Sequence, residues 1–531
     1  MLSRLRGWLQ NPIILLSLVA ALSAFVVQSG ELGTSDTAHR LQTTHSIWTS
    51  EPEVFPQEYP EFGIHGHNGK LHSWYGMGQS LLMLPADVAG TYIARLPIFE
   101  DYDGTDPSVR GILVSYFTNI LINVLTALVC FRLLRQFNFA VREAVAGVLA
   151  LLFCTSHLHY TQNMMENNYI MLLTLIGFSY QYEWFRNGSC RALFFGSAAL
   201  GLNLLNRLTT GLDLIACGVF LLGVMWLENS GARWPSLVLQ YIKVAGPVYV
   251  FFFLVDRVYQ YLRFGSFTNT YVSVFAREWR QLDPSLLANF PWTTPFHVGM
   301  FSPLFMPEKS IFLFDPLIVL SLLIIIFSWK RLRPDVRAYV ITTLLLILAY
   351  MAFYARYFVW AGDMAWGDRY VSTAVEMAAF ISVPLLLRHR TELGRWLWNV
   401  GGVLVAASFI VQLASLAFWL PLEIYQMETL GHPTFVVLLR LKNIAAFSLG
   451  KMDQWGLNTP SMTQDPWDYV HISTWNFLPF LLRRVGEVSD WVIKTVFAMW
   501  YVGIAALAWS LWRLRIAVTD NSTNSSRDVL S

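Results

Sequence analysis

The chain has 531 residues, of which 55% are hydrophobic and only 14% are charged, and its mean hydropathy is +0.45. A water-soluble domain carries about a quarter of its residues as charges and has no way to bury this much apolar surface. The formal net charge of +2 gives no basis for binding nucleic acid. Composition therefore excludes a soluble domain and predicts an integral membrane protein without a nucleic-acid partner.

Apolar runs long enough to cross the roughly 30 Å hydrocarbon core of a bilayer recur along the chain. They lie at 12–28, 110–131, 143–157, 168–184, 192–206, 211–228, 236–256, 310–328, 338–358, 370–387, 397–419 and 491–512. We therefore predict an all-α, polytopic membrane protein with about twelve transmembrane helices. No convincing small-residue cleavage site follows the first run, so we expect that helix to be retained rather than removed as a signal peptide.

The basic residues give this map an orientation. With the N-terminus placed in the cytoplasm, nearly half of the 37 Lys and Arg residues fall in short loops on the cytoplasmic side, as the positive-inside rule requires. Three long segments, 29–109, 257–309 and 420–490, then face the opposite side. We expect a multi-pass plasma-membrane protein with both termini in the cytoplasm and its polar mass outside.

The same map divides the chain into three parts. A transmembrane module covers 1–390 with the first two outer loops, and a C-terminal transmembrane region covers 391–515 with the third. The polar tail, 516–531, is predicted to be a disordered cytoplasmic segment. Within the first outer loop, the run 79–95 contains proline, aspartate and glycine, so we expect it to lie along the membrane interface rather than to span it.

The segment directly after the first helix carries Glu31, Asp36 and Arg40. A helix is predicted to begin close to Asp36, which leaves two interpretations of that residue. It either caps the first turn together with Ser35, or it acts as a general base that takes the proton of an attacking hydroxyl or amine.

Further along the same loop, the stretch 63–80 is rich in glycine, histidine and tyrosine. The spacing of its histidines, His65, His67 and His72, permits a metal site. No carboxylate or cysteine completes an obvious set of metal ligands. We favour a turn that presents Lys70 and Tyr75 to a phosphate, and we predict no cofactor, with a divalent metal as the less favoured alternative.

Three more charged positions are predicted to face the same side. Glu166 precedes a helix, where it either caps that helix or belongs to a site. Arg207 lies in a turn before Asp213, which is a plausible partner, and Arg263 lies beside a glycine. A charged side chain within the membrane usually faces the protein interior or a cavity. Arg207 could therefore pair with a carboxylate in the protein or contact a lipid phosphate, and both alternatives are open.

The last polar block, Trp360–Tyr370, places Asp363, Asp368 and Arg369 at the end of a predicted span. Tryptophans are enriched at the membrane interface, which explains the two in this block. Interface anchoring does not explain its three charges. We therefore expect these charges to belong to the same outward site.

Several of these segments, in this order, resemble the membrane glycosyltransferases of the GT-C class. Within that class they are most similar to bacterial relatives of protein O-mannosyltransferases, which use a polyprenyl-phosphate sugar donor. The likeness begins with the acidic residue after the first helix. It continues, over about 12–385, through the segments His45–Trp48, Tyr75–Asp87, Tyr261–Tyr271, Phe301–Pro316 and Trp360–Tyr370.

The resemblance implies a GT-C-like fold whose long first outer loop carries interfacial helices. It implies transfer of a sugar from a polyprenyl-phosphate donor, in contact with membrane lipids, to a lipid, glycan or protein acceptor on the extracytoplasmic face, with inversion. It assigns Asp36 as the base, with Glu31 as the alternative because the family's paired Asp-Glu is missing here. It assigns Arg369 to the donor phosphate. The other residues predicted to bind substrate are Arg207, Lys70, Arg263, Tyr75, Glu166, Asp368 and Arg40.

A multi-pass transporter or lipid flippase is the alternative function. Such a protein is expected to have repeated halves, helices broken near the bilayer midplane and ionisable groups in several spans. The sequence shows no clear repeat and has long outer loops. These features favour an enzyme.

Overall fold

A computed structural model describes residues 10–56, 62–102, 107–228, 234–363, 365–458, 474–485 and 488–527. Over these residues the regular structure is helical except for one antiparallel hairpin of β1 (Ile64–His65) and β2 (Leu71–His72), in which Ile64 lies opposite His72. The predicted all-α class is confirmed.

The helices of the first half of the chain are α1 (Pro12–Val27), α2 (Ser35–Ser46), α3 (Met77–Ala94), α4 (Val109–Gln136), α5 (Val141–Cys154), α6 (His157–Gln162), α7 (Asn167–Asn187), α8 (Cys190–Leu204), α9 (Gly211–Leu227) and α10 (Trp234–Phe264). Those of the second half are α11 (Tyr271–Leu282), α12 (Phe296–Phe305), α13 (Ile311–Phe314), α14 (Leu317–Ser328), α15 (Pro334–Tyr354), α16 (Ser372–Ala379), α17 (Ser382–Arg388), α18 (Arg390–Ser415), α19 (Pro421–Glu428), α20 (Val436–Ser448), α21 (Leu478–Val485) and α22 (Asp490–Arg527).

Every predicted apolar run overlaps helical structure. In the described parts of the chain, six helices are long and apolar enough to cross a membrane, which makes the protein polytopic. They are Val109–Gln136, Leu208–Leu227, Trp234–Phe264, Pro334–Tyr354, Arg390–Ser415 and Asp490–Thr519. Helices α1 and α8 are apolar but shorter.

Two predicted spans are interrupted in the structure. The run 310–328 breaks between α13 and α14 at Asp315 and Pro316, because proline has no amide hydrogen to continue the helix. The run 370–387 breaks between α16 and α17 at Phe380 and Ile381. The ring of Pro384 conflicts with the carbonyl four residues earlier, which is that of Phe380.

Close helix packing forms the centre of the bundle. Helix α7 packs against both α4 and α8, and α9 packs against α15. Gly177 in α7 lies against Leu200 of α8, where a Cβ would come within 2.5 Å of the leucine Cγ. A small residue at this point lets the two backbones approach, as is common between membrane helices. The first helix, α1, packs against α4 and the last helix, α22.

A buried carboxylate ties the first outer loop to this bundle. Asp87 in α3 is fully buried and accepts hydrogen bonds from Arg110 Nε of α4 at 2.6 Å and from Trp48 Nε1 at 2.8 Å. His45 Nδ1 of α2 lies 3.0 Å from the same carboxylate. Asp87 therefore fixes α2 and α3 to the start of α4. The orientation of α3 along the interface stays a prediction.

The end of the chain differs from the prediction. Helix α22 continues to Arg527, so the segment expected to be disordered is helical over its described part. Extending an existing helix adds one hydrogen bond for each residue ordered and avoids the unfavourable nucleation step. Residues 528–531 lie outside the described part.

A fully buried ion pair joins the helices of the third outer segment. Arg440 of α20 binds Glu423 of α19 through Nε at 2.7 Å and Nη2 at 2.6 Å, and neither side chain is exposed. Nη1 of the same arginine donates to the carbonyls of Ser415 at 2.9 Å and Phe418 at 2.7 Å. One guanidinium thus connects α18, α19 and α20.

We predict that Arg440→Met lowers the thermal unfolding temperature strongly, because it leaves the Glu423 carboxylate buried without its cation. Breaking a buried pair in this way costs about 3–5 kcal/mol. The matched control is Lys442→Met on the same helix, where the lysine is exposed. Unfolding in detergent, followed by tryptophan fluorescence, checks the difference, and equal shifts for the two variants contradict it.

Candidate active site

Asp36 lies in the first turn of α2, but it does not cap that helix. The N-cap is Thr34, whose Oγ1 accepts a hydrogen bond from the Thr37 amide at 3.4 Å. The Asp36 carboxylate faces other segments of the chain. Its Oδ1 accepts from the Tyr75 hydroxyl at 2.6 Å, and its Oδ2 accepts from Arg369 Nη1 at 2.7 Å. The capping interpretation of Asp36 and Ser35 is therefore wrong.

Electrostatics keep Asp36 ionised. Burial alone raises the pKa of its carboxyl, but the charges of Arg369 and Arg40 and the Tyr75 hydrogen bond outweigh burial and hold that pKa well below its usual range. For Tyr75, burial and the neighbouring Asp36 raise the pKa well above its usual value. The phenol thus stays protonated and remains a hydrogen-bond donor to the carboxylate.

A second carboxylate holds two more arginines in place. Glu166 precedes α7 and makes no capping hydrogen bond, so its predicted alternative as a helix cap is wrong. Its Oε2 lies 2.8 Å from Arg40 Nη2, and its Oε1 accepts from Arg207 Nη2. The Asp213 carboxylate, the expected partner of Arg207, accepts hydrogen bonds from Thr174 and Tyr350. Arg207 therefore pairs with Glu166 rather than with Asp213.

Arg369 extends from the loop between α15 and α16. This loop contains left-handed backbone at Gly362 (φ 80°), Asp363 (φ 58°) and Gly367 (φ 69°), which folds it back tightly. The carboxylate of Asp368 is buried and accepts from the Tyr370 amide at 3.0 Å. Burial raises the pKa of Asp368 to about 7. Asp368 therefore packs inside the loop behind Arg369.

Two cavities meet at the Asp36–Arg369 pair. The larger, about 500 Å³, is lined by the start of α2 and by residues that include Glu31, His159, Asn163, Trp419 and Pro421. The smaller, about 180 Å³, is lined by residues that include Arg40, Tyr75, Glu166, Asn206 and Arg207. Asp36, Asp363 and Arg369 line both. The ion pair thus stands where a group in one cavity can meet a group in the other.

A third cavity, of about 440 Å³, adjoins the smaller one. The two share Arg207, Tyr357 and Tyr370. Most of its lining is aromatic or apolar, with side chains that include Phe290, Pro291, Trp292, Phe353 and Tyr354. An apolar groove therefore leads to a chamber that contains three arginines.

The smaller cavity has the chemistry of an anion site. Arginine guanidinium groups bind phosphate oxygens through paired, charge-assisted hydrogen bonds. Arg40 Nη1 and Arg369 Nε are buried and have no hydrogen-bond partner among the described residues. The cavity is thus lined by guanidinium groups whose hydrogen-bonding capacity the described residues do not fully use.

Lys70 and Arg263 lie elsewhere. Lys70 is exposed in the turn between β1 and β2, and it lines none of the three cavities. Arg263, at the end of α10, is buried, binds Glu53 Oε1 at 2.7 Å and donates to the Ser73 carbonyl. Arg263 thus fastens the first outer loop to α10, and the structure does not bring either residue to the arginine chamber.

The three histidines of the first loop have separate partners. His65 pairs with Glu278, and His72 Nδ1 lies 2.7 Å from Glu53. His67 faces a backbone carbonyl of α10. Across the residues that the structure describes, no group of three or more His, Cys, Asp or Glu side chains is placed to hold a metal ion.

Sequence reasoning missed Lys309, His159, Asn163 and Trp419. Lys309 Nζ donates to three carbonyls of the loop that carries Arg369. Its position within the resembling segment Phe301–Pro316, before a predicted span, is the sequence signal that points to it. The other three lack charge and have ordinary spacing, so only the folded chain brings them to the larger cavity.

No protein-family model matches the sequence, and no curated protein matches it. Among solved structures, the chain is similar to the archaeal oligosaccharyltransferase AglB from Archaeoglobus fulgidus, in complex with an inhibitory peptide and a dolichol-phosphate. The sequence identity is 13% and the TM-score is 0.37. The match covers 88% of this chain and 63% of the archaeal chain, so this chain spans less than two thirds of that protein's length.

We predict that Gly362→Ala destabilises the protein more than Gly431→Ala does. Both glycines have left-handed backbone, at φ 80° and φ 70°, so each alanine adds a strain of about 1 kcal/mol. A Cβ at position 362 would also overlap the Arg369 side chain, with Nε only 2.8 Å away, whereas nothing lies within 4 Å at position 431. Thermal unfolding in detergent measures both variants. An equal change in unfolding temperature for the two would contradict close packing of the Arg369 side chain against Gly362.

Proposed function

We propose that this protein is an integral membrane glycosyltransferase that moves a sugar from a polyprenyl-phosphate donor to a hydroxyl or amine of a lipid, glycan or protein acceptor. The observation that carries the proposal is the Asp36 carboxylate, paired with Arg369, at the junction of two cavities, one of which is lined by three arginines. The relation to O-mannosyltransferases suggested by the sequence motifs is part of this proposal.

The donor occupies the third and the smaller cavity. A prenyl chain is apolar and fits the aromatic groove beside Tyr354 and Trp292. Its phosphate then reaches Arg207, which lines both cavities, and lies near Arg40 and Arg369. Fixed cationic donors at this point stabilise the negative charge that develops on the phosphate as the sugar leaves. The chemistry requires no nucleotide-binding domain and no cofactor.

The acceptor occupies the larger cavity, on the other side of Asp36. Its oxygen or nitrogen attacks the anomeric carbon while the bond from that carbon to the phosphate oxygen breaks, and Asp36 takes the acceptor's proton. Attack from the side opposite the leaving phosphate gives inversion. The proton ends on Asp36, and the electron pair of the broken bond ends on the phosphate held by the arginines.

The pairing with Arg369 also affects the strength of the base. A carboxylate whose pKa is held this low accepts a proton poorly. A donor phosphate that attracts the Arg369 guanidinium weakens its pairing with Asp36 and raises the basicity of the carboxylate. Donor binding would thus prepare the base for the acceptor. We place this site on the extracytoplasmic face of the plasma membrane, as the distribution of basic residues predicts.

One observation favours the transporter or flippase alternative. The breaks between α13 and α14 and between α16 and α17 lie near two buried carboxylates, Asp315 and Glu376, which bind Ser156 at 2.6 and 2.9 Å. Broken helices and buried acids are expected in transporters. Neither acid lines the arginine cavity or the larger cavity beside it, so the enzyme proposal explains the charged chamber better.

We predict that Asp36→Asn lowers kcat by at least about a hundredfold, because general-base catalysis contributes about 10²–10⁴-fold. The matched variant Glu31→Gln changes the other acidic residue of the same cavity and is expected to keep most of the activity, since Glu31 lies away from the arginine chamber. The assay is sugar transfer by purified protein in liposomes that contain a polyprenyl-phosphate sugar.

Asp36→Asn leaves Arg369 without its carboxylate and is expected to lower the unfolding temperature. Rates are therefore compared at a temperature at which unfolding curves show both variants to be folded, which separates a chemical effect from misfolding. Wild-type rates in Asp36→Asn would remove Asp36 from the base role, and loss of transfer in Glu31→Gln alone would assign the base to Glu31.

A further inference from the structure

Lys309 is the centre of a compact set of hydrogen bonds behind Arg369. It lies between α12 and α13 and extends its side chain to the loop between α15 and α16. Its Nζ donates to the carbonyls of Asp363 at 2.7 Å, Ala365 at 2.9 Å and Gly367 at 3.2 Å. A lysine ammonium has three N–H donors and no acceptor. The three carbonyls of this loop therefore provide one acceptor for each N–H of the Lys309 ammonium.

These three carbonyls converge because the loop is folded back on itself. Left-handed backbone at Gly362, Asp363 and Gly367 turns the peptide groups inward. Without a cation, converging carbonyl dipoles repel one another. The ammonium of Lys309 therefore determines whether the loop keeps this shape.

The shape of the loop determines where Arg369 points. Gly362 packs so closely on the Arg369 side chain that a Cβ there would overlap it. Asp368 is buried within the same loop, and the charge of Lys309 stabilises its ionised form. Arg369 thus lies on a wall that Lys309 holds together, and its Nη1 reaches Asp36 at 2.7 Å.

We propose that Lys309 is a positioning residue that holds loop residues 362, 363 and 365–368 so that Arg369 faces both Asp36 and the donor phosphate. This rests on the proposed function for its effect on catalysis, although the hydrogen bonds themselves do not. Lys309 touches neither substrate in this account. Its contribution reaches the reaction only through Arg369.

The proposal gives Lys309 a distinctive effect on the pH profile. Burial lowers the pKa of Lys309 to about 8. The neighbouring acids Asp368, Asp363 and Glu308 favour its charged form, and Arg369 opposes it. The ammonium holds all three carbonyls below that pKa and loses one donor as the pH rises through it. Transfer should therefore fall above about pH 8, and the titration of Asp368 near 7 affects the acid side instead.

The test compares Lys309→Met, Lys309→Arg and the control Lys330→Met in the full-length protein in liposomes. Lys330 is an exposed lysine that follows the C-terminal end of α14. We expect Lys309→Met to raise the KM for the polyprenyl-phosphate sugar at least tenfold, with a smaller effect on the KM for acceptor. Lys309→Arg should recover most of this loss and, because arginine stays charged, should lack the decline near pH 8. Lys330→Met should match the wild type.

Hydrogen exchange separates this proposal from the proposed function. Amides of 362, 363 and 365–370 should exchange faster in Lys309→Met than in the wild type or Lys330→Met, whether or not the protein transfers sugar. Unchanged exchange of these amides in Lys309→Met overturns the positioning role. So does a wild-type donor KM in Lys309→Met together with an unchanged alkaline decline in Lys309→Arg. A wild-type protein that transfers no sugar but shows the expected exchange overturns the proposed function and leaves the loop assignment supported.

Discussion

The ion pair between Asp36 and Arg369 is the interaction on which the site depends. It joins the loop after the first helix to a loop more than three hundred residues later. Each charge compensates for the burial of the other, because an isolated buried ion loses its hydration without compensation. Glu166 likewise compensates the buried charges of Arg40 and Arg207 by pairing with both. The result is a chamber in which opposite charges are concentrated but balanced.

Contacts elsewhere in the fold position the two segments that carry Asp36 and Arg369. On one side, buried Asp87 ties α2 to α3 and α4, so the helix that carries Asp36 has a fixed position. On the other, Lys309 and the glycine turns fix the loop that carries Arg369. Both anchors are themselves charged groups whose partners come from distant segments. The site is thus held by contacts between several segments rather than by a single continuous helix.

The sequence predicted the helices well because hydropathy and length alone decide which segments can cross a bilayer. It also singled out Asp36, Glu166, Arg207 and Arg369, which line one cavity in the structure. It failed where the outcome depends on direction rather than residue type. Thr34 takes the cap that was predicted for Asp36, since the helix begins two residues earlier. The local sequence of Lys70 and Arg263 does not reveal that one faces solvent and the other packs against Glu53.

The central claim is that the sugar-phosphate bond of a polyprenyl donor is broken at the Asp36–Arg369 pair. The most direct test uses purified protein in sealed liposomes that carry a polyprenyl-phosphate sugar labelled in both the sugar and the lipid. The account predicts release of free polyprenyl phosphate over time, together with the sugar on an added acceptor with inverted anomeric configuration. Movement of the intact sugar-lipid to the opposite leaflet, with both labels still joined, would contradict it and identify a flippase.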